Sequence, residues 1–101
     1  MLEVRPTCEN CNKDLPNHSV DAMICSFECT FCKDCVENIL FNVCPNCGGG
    51  FEKRPTRPVN CITGNCVEKY PIGERVVYKP VDKESFNEIL NMFIDVEPAK
   101  R

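Results

Sequence analysis

Eight cysteines crowd the first half of this chain: Cys8, Cys11, Cys25, Cys29, Cys32, Cys35, Cys44 and Cys47. The gaps between them run 2, 13, 3, 2, 2, 8 and 2 residues. Three C-x2-C pairs stand out: Cys8/Cys11, Cys32/Cys35 and Cys44/Cys47. Such a turn places two sulfurs on one ion while intervening backbone N–H groups point at the sulfurs. Cys25 and Cys29 form a fourth, looser pair. Zinc takes four tetrahedral ligands, and thiolate is a common one in structural sites. Eight thiolates therefore make two complete four-cysteine sites with none left over, which predicts two Zn2+ per chain. A site filled by four protein ligands leaves no position for water, so it does no hydrolysis. A redox C-x-x-C needs a thioredoxin-like βαβ pattern, and none is legible. An iron–sulfur cluster is also held by four thiolates, but does not account for eight ligands in interleaved pairs.

The compartment decides how so many thiols are read. The N-terminus, "MLEVRPTCEN", carries no apolar h-region of a signal peptide, and no apolar run approaches the length of a membrane span. The default expectation is cytoplasmic, where thiols stay reduced and dense cysteine means metal. A small secreted disulfide protein is the alternative. At 101 residues the chain is one domain, or one small domain with an appendage. Hydrophobic residues are 43% of it, but ten of them are cysteines, so the ordinary core is small and a metal staple is in keeping. A net charge of −3 argues against nucleic acid as the main ligand.

The elements that must position these thiols are short. Ala22 to Cys25 and Cys29 to Phe31 read as two strands around "SFE", with Cys25 and Cys29 at the ends of a hairpin. "CKDCVENILF" reads as a helix that buries Cys35, Val36, Ile39 and Leu40. "CPNCGGG" ends it. After Phe51 the sequence "EKRPTRPVN" is basic and contains proline, as an extended connector would. "ERVVYK" predicts a strand. "DKESFNEILNMFID" predicts the strongest helix, residues 83–94. Its apolar face is Phe86, Ile89, Leu90, Phe93 and Ile94, with Asp82 or a Ser85/Glu88 capping box at its start. That face needs a surface. The expected one is its own zinc module, through Phe27, Phe31, Ile39, Leu40 and Phe41; the alternative is a partner chain.

Some chemistry-bearing residues fall outside the eight. His18 is the single histidine and reads as a solvated turn residue. Cys61 and Cys66, "CITGNC", have too few companions for a third metal; the expectation is one buried as a small hydrophobe and the other incidental. Arg5, Lys53, Arg54 and Arg57 are a candidate basic patch, read as a solvated connector. No nucleophile–base pair is visible, so no enzyme is expected.

The spacing of the eight cysteines resembles the RING finger, a cross-brace relative of the treble clef, here in an all-cysteine form with Cys29 where histidine is usual. Phe31 and Pro45 also match positions of that family. The resemblance implies that ligand pairs one and three share an ion: Cys8, Cys11, Cys32 and Cys35. Pairs two and four, Cys25, Cys29, Cys44 and Cys47, share the second. It does not imply ubiquitin-ligase activity. Asn10 stands where an apolar residue usually precedes the second ligand, and Gly48 where a basic residue usually follows the eighth. The segment of type "LPxxSxxAxICSFECTFCxxCxxxxLxxxCPNCGG", with "VYKPVD" at Val77 to Asp82, also resembles a family of short, uncharacterised bacterial proteins.

Together these predict a small α+β zinc-bound domain. Residues 1–52 form a RING-like two-zinc module with a hairpin and helix. Residues 53–101 form a connector, strand and amphipathic helix packed on it. The predicted function is a non-catalytic, zinc-stabilised protein-interaction module, acting as a monomer or as a homodimer through the 83–94 helix. The alternatives are a nucleic-acid-binding zinc module and, behind it, a ligase-like or thiol redox protein.

Overall fold

Two short strands and a tight turn set the frame. In the computed structural model, which describes all 101 residues, β1 (Ala22–Ile24) pairs antiparallel with β2 (Thr30–Cys32), Met23 opposite Phe31. Glu28 turns the hairpin with φ +68°, and its N–H donates to Cys25 O. β3 (Glu52–Lys53) joins the free edge of β1, giving a three-stranded antiparallel sheet of order β2-β1-β3. The extended connector expected after Phe51 thus begins as a strand.

β2 runs directly into α1 (Lys33–Cys35), which continues as a π-helical turn over Val36–Leu40. The turn ends where the Phe41 N–H reaches back five residues to Val36 O, with Phe41 and Asn42 both in the left-handed region. The Asn42 side chain then accepts from Phe51 N–H at 2.9 Å, closing the loop that carries Cys44 and Cys47. The wider turn alters the expected face. Cys35, Val36 and Leu40 are buried, whereas Ile39 is 38% exposed. i→i+5 bonding places position 40, not 39, over the core.

The core holds Leu15, Ala22, Phe31, Val36, Leu40, Val43, Phe51 and Phe86 together with six of the cysteines. Phe31 and Phe51 meet edge to face with centroids 5.4 Å apart, a geometry worth about 0.5–1.5 kcal/mol beyond burial. Phe27 and Phe41 lie outside this core, exposed at the hairpin tip and the helix end.

α2 (Lys83–Phe93) starts at Asp82, whose carboxylate accepts from Glu84 N–H at 3.1 Å. Its face folds back on the cysteine-bearing half: Phe86 is buried in the core, and Ile89, Leu90 and Phe93 pack against it. Ile94, expected on that face, is 45% exposed. The strand expected at "ERVVYK" does not form, and residues 71–82 run irregularly across the surface. They are held at few points, with Gly73 N–H on Val4 O and Lys79 N–H on Glu9 O. Val76 and Tyr78 point into solvent, so no packed face rewards a sheet there.

Candidate metal centres

The first thiol cluster draws on two places far apart in sequence. Cys8 and Cys11 flank a turn closed by Asn12 N–H on Cys8 O. Cys32 ends β2 and Cys35 ends α1. Their four sulfurs lie within 4.8 Å of one another. Cys8 and Cys35 are 3.8 Å apart and Cys11 and Cys32 are 3.7 Å apart, sulfur to sulfur. Cys8, Cys32 and Cys35 are buried and Cys11 is exposed.

The second cluster joins the hairpin to the later loop. The sulfurs of Cys25, Cys44 and Cys47 lie within 4.8 Å of one another. The sulfurs of Cys25 and Cys47 accept from Phe27 and Gly49 N–H, each at 3.4 Å. Cys29 is buried, and its backbone oxygen accepts from Cys25 N–H at 3.2 Å. It stands outside the mutual distance that binds the other three. The structure therefore brings together seven of the eight candidate ligands in two close sets, with the eighth adjacent to the second.

The electrostatics of both sets suit a cation. Burial pushes the thiols of Cys29, Cys32, Cys35 and Cys44 upward; neighbouring sulfurs add to this at Cys29, Cys35 and Cys44, while at Cys32 the Cys35 residue opposes it and Cys8 and Cys11 assist. At Cys11 burial also raises the thiol, but the Lys13 N–H and the adjacent sulfurs outweigh it and the net shift is downward. Packed thiols that resist ionising for want of a countercharge are the complement of a dication, which exchanges protons for metal. An all-sulfur donor set selects soft or borderline ions. The residues present thus fit metal binding at both places.

Three polar residues of the site carry no metal-ligand signature. Asn10 donates from Nδ2 to the Cys35 sulfur at 3.3 Å, and its Oδ1 accepts from Val81 N–H at 2.9 Å. Asn46 donates from Nδ2 to Glu9 Oε1 at 3.3 Å, and its Oδ1 accepts from Lys79 Nζ at 3.4 Å. Both turns read C-x-N-C, "CENC" and "CPNC", which is the sequence signal for the pair. Glu9 is 3% exposed inside the first turn.

The residues set aside as bystanders divide. His18 is exposed in a turn, as expected. Cys66 is buried, as expected of one of the pair, but Cys61 is not incidental: the two are joined by a disulfide. The short "CITGNC" loop, turning at Gly64 with φ +82°, brings their Cα atoms to 5.0 Å. The basic connector is also not a solvated patch. Arg54 is 1% exposed and donates to the backbone oxygens of Arg5, Leu15 and Pro16. Arg57 donates to those of Tyr70, Pro71 and Leu2. Arg5 is paired with Glu3 and Glu9. Of the four candidates only Lys53 stays free of such bonds.

A small α+β protein with a three-stranded antiparallel sheet and two cysteine clusters able to hold metal is thus defined. The chain belongs to the family described as Protein of unknown function (DUF1272), whose model matches residues 1–57. An uncharacterized protein of Rhizobium meliloti (strain 1021) is 51% identical over 80 residues, covering 79% of this chain and 89% of that protein. No solved structure gives a significant match. No helix is long and apolar enough to cross a membrane.

Proposed function

We propose that this chain is a two-site, non-catalytic zinc module whose role is to present a rigid surface to another protein. The observation that carries the metal assignment is the spacing of the first sulfurs. A tetrahedral ion with zinc–sulfur bonds of about 2.3 Å requires its sulfurs about 3.8 Å apart. The Cys8–Cys35 and Cys11–Cys32 separations of 3.8 and 3.7 Å match that edge. Cys8, Cys11, Cys32 and Cys35 hold one ion. Cys25, Cys44 and Cys47 hold the second, completed by Cys29 moving in from its place beside Cys25. This is the interleaved pairing of a RING-like cross-brace. Four protein ligands per ion leave no coordination position for a substrate, which favours a structural role over an enzymatic one.

The protein-interaction reading is favoured over nucleic-acid binding by the fate of the basic residues. Arg5, Arg54 and Arg57 are committed to internal partners, and the net charge is −3. Phosphate binding needs free, clustered cations.

Elemental analysis of the purified protein tests the assignment, with two zinc ions per chain expected. Cadmium-113 substitution tests the pairing. Cys8 and Cys32 should correlate to one cadmium and Cys25 and Cys44 to the other. A correlation of Cys8 and Cys25 to the same ion, or iron in place of zinc, would overturn it.

A further inference from the structure

Glu9 is an odd residue to find between two thiols that are to bind a cation. Its carboxylate is buried, and burying a charge costs heavily unless it is paired and hydrogen-bonded. Its partners supply the explanation. Oε2 accepts from Thr30 N–H at 2.9 Å and from Arg5 at 3.1 Å. Oε1 accepts from Asn46 Nδ2 at 3.3 Å. The Glu9 backbone N–H donates to Thr30 O at 3.0 Å. Thr30 follows Cys29 in the chain, and Asn46 lies between Cys44 and Cys47. One residue inside the turn of the first cluster therefore holds both of the segments that carry the second.

We propose that Glu9 and Asn46 are a positioning pair that makes the two metal sites interdependent, so that filling the Cys8/Cys11/Cys32/Cys35 site organises the Cys25/Cys29/Cys44/Cys47 site. The proposal rests on the metal reading above. Without an ion at the first site, the 8–11 turn is held only by its hydrogen bonds and the packing of Cys8, with Cys11 exposed and untethered to Cys32 and Cys35. Glu9 then no longer orients Thr30 N–H and the Asn46 carboxamide. Thr30, which Glu9 holds, directly follows Cys29, the one thiol outside the close set. Cys29 is thus the ligand most dependent on this relay for its approach. Linkage is reciprocal, so an ion at the second site tightens the first by the same factor.

Cobalt(II) titration of the full chain tests this, followed by the thiolate-to-cobalt charge-transfer band, with folding checked separately in saturating zinc. Cys8→Ser/Cys11→Ser disables the first site. Its expected effect is a weakening of the remaining site by about tenfold, the scale of outer-shell effects on metal affinity. Glu9→Gln and Asn46→Ala, each with both sites intact, weaken the second site by a similar factor. In either background the double cysteine substitution adds less than about twofold, because the coupling is already cut. Should Glu9→Gln fail to fold in zinc, the Asn46→Ala cycle decides alone. Two cobalt ions bound with the second site indifferent to the first would overturn the coupling and leave the metal reading standing. An equal tenfold loss in all backgrounds would place the coupling elsewhere and overturn the role of the pair. No charge-transfer band in the unaltered chain would remove the metal reading, and the coupling with it.

Discussion

The ring of Phe93 lies so close over Gly48 that a Cβ built there would stand 2.7 Å from the ring's Cε2 atom. Gly48 follows Cys47 and has φ +79°, a conformation other residues adopt only with strain. The last turn of α2 is thereby seated on the loop of the second thiol cluster. Gly48→Ala adds both a left-handed penalty and a steric one, together about 1–3 kcal/mol. Urea unfolding of the zinc-loaded protein reads the loss; unchanged stability means that Phe93 is not seated there.

Phe93→Asp tests the same contact from the helix side. Phe86, Ile89, Leu90 and Phe93 all turn toward the chain's own core. The expected outcome is a protein destabilised by about 1.5–3 kcal/mol, the value of one such apolar side chain, with its mass by light scattering unchanged. A folded, stable variant that has instead lost an assembly would make the helix a face for a second chain.

Chelation should dismantle the cysteine-bearing half. Each structural zinc contributes about 10–16 kcal/mol of apparent binding energy, against a net domain stability of about 5–15 kcal/mol. Six cysteines are themselves members of the apolar core, so the metal and the core are lost together. Amide resonances of residues 1–50 should collapse in a strong chelator and return on adding zinc. Native dispersion persisting in chelator contradicts this.

Arg54→Met should destabilise by about 3–5 kcal/mol. The substitution leaves the oxygens of Arg5, Leu15 and Pro16 without the donors that now reach them at 2.7–3.0 Å. Lysine is not a substitute, since one ammonium cannot span three acceptors as a planar guanidinium does. Thermal melts of the methionine and lysine variants check this, with both expected well below the unaltered chain.

A pH effect is expected where the N-terminal lead-in meets the irregular 71–82 segment. Arg75 forks onto Glu3 at 2.8 and 3.1 Å, and this contact holds the Glu3 carboxyl below the ordinary carboxylate range, burial opposing and Arg5 assisting. A carboxyl whose pKa is depressed by folding stabilises above its unfolded value, about 4.3, and that contribution fades as pH falls through the folded one. Arg75 Nε–H, followed by NMR, should keep its bonded shift at neutral pH and lose it only on acidification below the ordinary carboxylate range. Glu3→Gln should abolish the transition. The side-chain resonance is the better readout because acid also releases thiolate-bound metal.

Local pattern was enough for some of this protein. Hairpin, helix and C-x2-C turns each depend on residues a few positions apart, so the strands around "SFE", the helix from Asp82 and the crowding of thiols were legible in the sequence. The partial miss on the π-helical turn was local too: of the expected face Cys35, Val36, Ile39 and Leu40, i→i+5 bonding kept Leu40 in the core and turned Ile39 out. Tertiary structure decided what depends on distant partners. Arg54 reads as solvated until the chain brings three backbone carbonyls from residues 5–16 around it. "ERVVYK" has strand propensity but finds no sheet edge and no packed face. The Cys61–Cys66 bridge, by contrast, is local, closed across a turn at Gly64, and escapes a reading that weighs its cysteines only as metal ligands or core. Which sulfurs share a neighbourhood, and that Glu9 links the two neighbourhoods, followed from the return of β2 and the 42–50 loop onto the first turn. Spacing along the chain sets which side chains can be neighbours in a turn or a helix. It cannot set which turns meet, because that is chosen by the single packing that buries Phe31, Leu40, Phe51 and Phe86 together with the thiols.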